Sequence, residues 1–207
     1  NREQSLLRER LSAECTPTRL ADEALHACSD LIARFPENAR AYAVRGDHYR
    51  RRSQYDLAIA DLTKSLELDA QDAFARSRRG TAHGRAGRTA EAQADFAYLL
   101  SMTPATAGDF EARGEAHWIR NELDAAVTAY TKAIELDPAF ALAYVGRAIV
   151  LDKQQHYDRV IVDTNKAISL DAQFAEAYNQ RGIAQGASRQ SDRAIADYTK
   201  AIELFPQ

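Results

Sequence analysis

The sequence predicts an all-α fold, a linear array of antiparallel helix pairs with one pair in every 34 residues. Three observations carry this. Gly46, Gly80, Gly114 and Gly182 stand 34, 34 and 68 residues apart, Ala148 fills the vacant slot, and an arginine precedes each: Arg45, Arg79, Arg113, Arg147 and Arg181. Twelve residues after each small residue come Ala58, Ala92, Ala126, Val160 and Ala194, and four residues further Leu62, Phe96, Tyr130, Thr164 and Tyr198. Prolines recur at one phase, Pro36, Pro104, Pro138 and Pro206, where a chain that cannot donate its next hydrogen bond must stop a helix. Strict self-similarity at this period marks a repeat architecture rather than a globular core.

Six units of this length fit the chain, at about 5–38, 39–72, 73–106, 107–140, 141–174 and 175–207, so a single array over residues 1–207 is expected. The first is degenerate, with Ala24, Cys28, Leu31 and Pro36 in phase. The second carries Tyr42, Gly46, Tyr49, Ala58, Leu62 and Ser65. The third carries Gly80, His83, Ala92, Phe96 and Pro104. In the fourth, helices over Asp109 to Arg120 and Asp124 to Leu136 flank the turn Asn121-Glu122. Its second helix sets Ala126, Tyr130, Ala133 and Ile134 on one apolar stripe. The fifth unit substitutes Ala148, Val160 and Thr164 at the same slots, and the sixth restores Gly182, Ala194 and Tyr198. The small residue lets the two helices of a pair approach closely.

These residues resemble the tetratricopeptide repeat family, whose pattern is aromatic at slot 4, Gly or Ala at 8, aromatic at 11, Ala at 20, aromatic at 24, Ala at 27 and Pro at 32. The fourth unit matches it with Phe110, Gly114, His117, Ala126, Tyr130, Ala133 and Pro138. The resemblance implies a right-handed superhelical solenoid, with first helices lining a concave groove and second helices covering its back. It implies a protein-interaction scaffold without enzymatic activity or cofactor.

One departure from the family stands out. Slot 7 is arginine in all five clear units, and slot 23 is Asp61, Asp95, Asp163 and Asp197, with Ala129 the exception. In an antiparallel pair turning near slots 14 and 15, these positions face each other. An Arg–Asp ladder between paired helices follows.

Other function classes find little support. A net charge of −3 argues against a dedicated nucleic-acid binder. The longest apolar stretch, Pro138 to Leu151, holds Arg147 in its middle, so no membrane span is expected. Neither Cys-x-x-Cys nor His-Glu-x-x-His occurs, and His83 and His117 fall on the packing slot 11, so no metal or catalytic site is expected.

Cys15 and Cys28 admit two readings, free core thiols or a disulfide. In a regular repeat their slots, 11 and 24, lie several residues apart along the pair axis. Pro17 can shift that register, with Thr18 as the cap of the next helix. The segment Cys15…Ala27-Cys28-Ser29-Asp30-Leu31-Ile32 also resembles the first unit of exported bacterial tetratricopeptide proteins. That implies a periplasmic or secreted location, with a cytoplasmic one as the alternative.

The family binds partners through first-helix slots 2, 5, 6, 9, 12 and 13. Here those slots give a basic N-terminal half and an apolar C-terminal half. The first contributes Arg40, Arg50, Arg51, Phe74, Arg78 and Arg85; the second Trp118, Ile119, Leu142, Val145, Ile149, Asn179 and Ile183. An acidic-plus-apolar peptide or protein segment is the expected ligand. The basic and asparagine set that clamps chaperone C-terminal carboxylates is incomplete, with only Arg78 and Asn179 as scattered matches. Two alternatives remain. The last unit ends at Pro206-Gln207, and its second helix, with Ile195, Tyr198, Ala201 and Ile202, leaves an apolar face for a longer chain or a second copy to cover. RNA or anion binding through the arginine stretch is the weakest.

Overall fold

The computed structural model describes residues 2–17 and 21–204. Among these, twelve α-helices and no strand are present: α1 (Arg2–Glu14), α2 (Ala21–Arg34), α3 (Ala39–Arg51), α4 (Tyr55–Leu68), α5 (Ala73–Arg85), α6 (Thr89–Ser101), α7 (Ala107–Ile119), α8 (Leu123–Leu136), α9 (Ala141–Lys153), α10 (Tyr157–Leu170), α11 (Ala175–Ala187) and α12 (Ser191–Leu204). Thr18 and Pro206, read as a cap and a stop, lie outside the described residues. The fold is an all-α helical-repeat solenoid. It forms two compact units, Asn1–Ser101 and Met102–Gln207, each of three helix pairs. Within a unit each second helix packs on its own first helix and on the next first helix. First helices also touch one another, α3 with α5, α7 with α9, and α9 with α11.

Local chemistry sets the helix ends. Asn38 and Asp72 accept the N–H of Ala41 and Ala75 at 3.1 and 3.0 Å. Thr106 and Asp109 form a capping box, so α7 starts two residues before the sequence-based boundary. The turn inside each of the last five pairs reuses one backbone device. Ser53, Gly87, Asn121, Gln155 and Arg189, all at slot 15, have φ between 58° and 78°. The next N–H then reaches back to the slot 11 carbonyl, as in Arg88 to His83 at 2.8 Å and Glu122 to His117 at 2.9 Å. This is a Schellman closure, and it satisfies carbonyls that the helix end leaves open. Glycine takes the left-handed conformation freely at Gly87, whereas Ser53, Gln155 and Arg189 adopt it at a cost of about 1–2 kcal/mol each.

The Arg–Asp ladder is present. Arg45 donates to Asp61 at 2.7 and 2.9 Å, Arg79 to Asp95 at 2.9 and 2.7 Å, Arg147 to Asp163 at 2.8 and 2.7 Å, and Arg181 to Asp197 at 2.7 and 2.7 Å. Each fork is bidentate, the geometry that favours arginine over lysine. The same guanidinium also donates to slot 25 of the preceding second helix: Ser29, Thr63, Thr131 and Asn165 at 3.3, 3.4, 3.1 and 2.7 Å. Where Ala129 replaces the aspartate, Arg113 donates to the Met102 carbonyl.

Packing explains the small residue at slot 8. A Cβ on Gly114 would lie 2.9 Å from the Tyr130 ring, and one on Gly182 2.9 Å from Tyr198. In the fifth repeat slot 24 shrinks to the buried Thr164, and Ala148 fits at slot 8.

The first pair departs from the regular frame. Helix α1 stops at Glu14, three residues earlier in phase than α3 does, because the residue before Pro17 disfavours the helical conformation. Cys15 lies just beyond that end, 4.9 Å from Cys28 between Cα atoms, and the two form a disulfide. The bridge adds roughly 3 kcal/mol in the chain-entropy model. Leu11, Cys15, Ala27, Cys28 and Leu31 share one buried cluster with Ala41 and Val44 of α3. His48 of α3 completes the junction. It is fully buried, and its Nε2 lies 2.9 Å from the Thr16 carbonyl. A carbonyl only accepts, so Nε2 carries the hydrogen. Nδ1 is left buried with no hydrogen-bond partner among the described residues. Burial holds His48 below its ordinary value, although Thr16 and Asp47 pull the other way.

Protons therefore bind the unfolded chain more readily than the folded one at His48. Its contribution to stability is complete above about pH 6.5 and declines as pH falls below that. The expected outcome is that His48→Gln, which keeps a donor for Thr16, shows a shallower loss of stability between pH 7.5 and 5.5 than the parent chain. Urea unfolding at the two pH values checks it; parallel losses in both chains would contradict it.

Candidate functional site

The first helices carry the residues expected to meet a partner, and the two units use them differently. In the first unit the side chains of α3 and α5 converge on Asp47, which is fully buried. Arg50 and Arg51, one helical turn further on, place nitrogens 2.8 and 3.0 Å from its two oxygens. Arg78 of α5 approaches to 3.7 Å. Burial raises the Asp47 carboxyl, but the three arginines outweigh it and hold the group well below the usual carboxylate range. Arg78 and Arg40 also stack on Phe74, at 4.9 and 5.1 Å from the ring centroid. Three arginines expected to hold acidic groups of a ligand are thus ion-paired within the unit. Arg40 and Arg85 are exposed, while Phe74 is buried.

The second unit presents an apolar layer on α7, α9 and α11. Val145 is buried, in a cluster with Tyr144, Ala167, Phe174 and Ala177, against which Leu142 and Ile149 pack while partly exposed. Trp118 is half-buried and packs on Ala126, Tyr130 and Val150, so much of its ring serves the core. Ile119 is 48% exposed. Ile183 is half-buried and Asn179 exposed.

Asp47 stands at a groove slot of the second repeat, and sequence reasoning gave it no role. Its signal was present as an acid followed by arginine at i+3 and i+4 on one helix, the spacing that brings opposite charges together. The other ionisable group of note is Glu122, in the turn after α7. A hydrogen bond from His117 Nδ1 at 2.6 Å, with Arg120 close by, holds it below its ordinary value. Among the described residues no group of three or more His, Cys, Asp or Glu could hold a metal ion, and no helix is long and apolar enough to cross a membrane.

Asp47→Asn keeps the shape of the cluster and removes the buried negative charge at its centre. Breaking a buried ion pair from one side costs about 3–5 kcal/mol. A loss of that order in the urea unfolding of the first unit is expected, and a loss below about 1 kcal/mol would show that the arginines do not depend on Asp47.

Three family models match the sequence: a TPR repeat model over residues 114–155, and tetratricopeptide repeat models over 19–73 and 175–207. No curated protein matches it. Among solved structures, a thermophilic TPR protein in Thermus thermophilus aligns with 80% of this chain and 91% of its own, at 19% identity and a TM-score of 0.63. A monomeric IFIT1 mutant with Gppp-AAAA aligns with 88% and 46%, at 13% identity and a TM-score of 0.67. MamA aligns with 77% and 93%, at 26% identity and a TM-score of 0.49. The first two share the helical-repeat fold. With its period, its helix pairs and its three matched repeat models in agreement, the chain belongs to the tetratricopeptide repeat family.

Proposed function

We propose that this chain is a protein-interaction module, without chemistry of its own, that binds a peptide or protein segment on its first helices. The family is generally one of non-enzymatic interaction modules, and the three models that match are repeat models. The observation that carries the reading is the apolar layer of the second unit. Ile119 is 48% exposed, and Leu142, Ile149 and Ile183 keep part of their surface in water. Apolar side chains gathered on one layer favour a partner over solvent. In the first unit, exposed Arg40 and Arg85 suit acidic residues of a ligand.

A peptide ligand accounts for more of the surface than RNA does. Much of the arginine stretch is already matched by acids of its own unit, with Arg78 on Asp47, Arg79 on Asp95 and Arg76 3.6 Å from Asp95. The Cys15–Cys28 disulfide supports an oxidising compartment, and with it a periplasmic or secreted location.

A displayed peptide library tests the reading. Selected binders should combine apolar and acidic residues, and Ile119→Asp or Ile149→Asp should weaken them at least tenfold with the circular dichroism spectrum unchanged. A library that yields no binder, or binders indifferent to both substitutions, would contradict it.

A further inference from the structure

Among the apolar side chains of the second unit's first-helix layer stands an acid that its own chain does not use. On α9, Leu142, Val145, Ile149 and Asp152 follow at i, i+3, i+7 and i+10, so the aspartate continues the aliphatic stripe. Asp152 is half-buried, as Leu142 and Ile149 are. Its carboxylate accepts no hydrogen bond and joins no ion pair among the described residues.

No neighbour on the helix supplies a cation. Ile149 and Ala148 lie three and four residues before it, and α9 ends at Lys153. Lys153 is exposed, and adjacent residues do not face each other on a helix. Three and four residues on, Gln155 and His156 already belong to the turn. Helices α7 and α11, which touch α9, carry Trp118 and Gly186 at the same slot 12, and Ile119 and Ala187 at slot 13. Burial raises the Asp152 carboxyl above its ordinary value, with no nearby charge to offset it. By contrast, Asp47 is matched by Arg50 and Arg51 of its own helix, and Asp163 by Arg147. Asp72, whose carboxyl burial also raises, accepts the N–H of Ala75.

We infer that Asp152 is the specificity-determining residue of the second unit's layer, and that the partner segment bound there carries a lysine or arginine between aliphatic residues. An apolar segment laid on Leu142 and Ile149 takes water from the carboxylate one turn further on. Covering a charge without a counter-charge is costly, so an all-apolar segment is disfavoured and an acidic one repelled. A base at that place removes the cost. Its aliphatic stem lies along Ile149 while its head meets the carboxylate, and a hydrogen bond between two charged groups is the stronger kind. The inference rests on the proposal that the first-helix layer binds a segment, and adds the residue type required at one place in it. The acidic residues suited to Arg40 and Arg85 concern the first unit and are separate from it.

Random twelve-residue peptides on phage would be selected in parallel on the whole parent chain, on Asp152→Asn and on Asp152→Lys. Among binders that Ile149→Asp weakens, lysine or arginine should be enriched at one position flanked by aliphatic residues. The enrichment should vanish on Asp152→Asn and turn to aspartate or glutamate on Asp152→Lys. A synthetic parent binder should lose about tenfold in affinity when its base becomes methionine, about as much on Asp152→Asn, and little more when both changes are made. The methionine peptide tests the contact without altering the protein. Binders that depend on Ile149 but show no basic enrichment, or that keep it on Asp152→Asn, would overturn the inference and leave the proposed function standing. The absence of any Ile149-dependent binder would overturn both. Sedimentation showing a dimer that Asp152→Lys abolishes would assign the layer to a second copy and overturn the inference as well.

Discussion

In four of the six repeats a single guanidinium holds three surfaces together. Its fork grips the aspartate of its own second helix, and its third nitrogen reaches a hydroxyl or amide of the second helix before it. The fork sets how far the two helices of a pair slide along each other, and the third contact sets how one repeat meets the next. The arginines are about one-fifth exposed, so each pair gains less than a buried one and is partly screened by water. Burying one leucine gains about as much or more, ~1.5–3 kcal/mol. The cores supply most of the stability, and the ladder supplies the register in which they form.

That division of labour explains how much could be read from the sequence. Slots 7 and 23 face each other in any antiparallel pair that turns near slots 14 and 15, so the ladder needed only the period and two residue types. The left-handed residue at slot 15 was harder to see, since only Gly87 and Asn121 carry the usual side chains for it and Ser53, Gln155 and Arg189 do not. Slots 8 and 24 vary together within the chain: glycine meets a leucine or an aromatic ring, and Ala148 stands where slot 24 is the buried Thr164.

The departures arise where a neighbour outside the pair decides. A regular register separates Cys15 from Cys28, but Pro17 ends α1 early and lets the disulfide close. Arg50, Arg51 and Arg78 occupy slots that face a ligand in the family pattern, yet Asp47 draws them to itself. Trp118 occupies such a slot too, and packs against the cluster of Ala126, Tyr130 and Val150. Side chains long enough to choose between water and a neighbouring repeat are the ones that the pattern of a single repeat does not place. Ile119 on α7 and Ile195 and Ile202 on α12 stay exposed, as do Leu57 on α4 and Val162 on α10.

The register claim is tested most directly by a double-mutant cycle on Arg147 and Asp163. Arg147→Met, Asp163→Leu and the pair together would be compared by urea unfolding. The account predicts that each single change is costly, because it strands the other charge, and that the double change recovers most of the loss, giving a coupling of about 1–3 kcal/mol. Single effects that add to within about 0.5 kcal/mol would mean that the two residues act independently and that the ladder does not set the register.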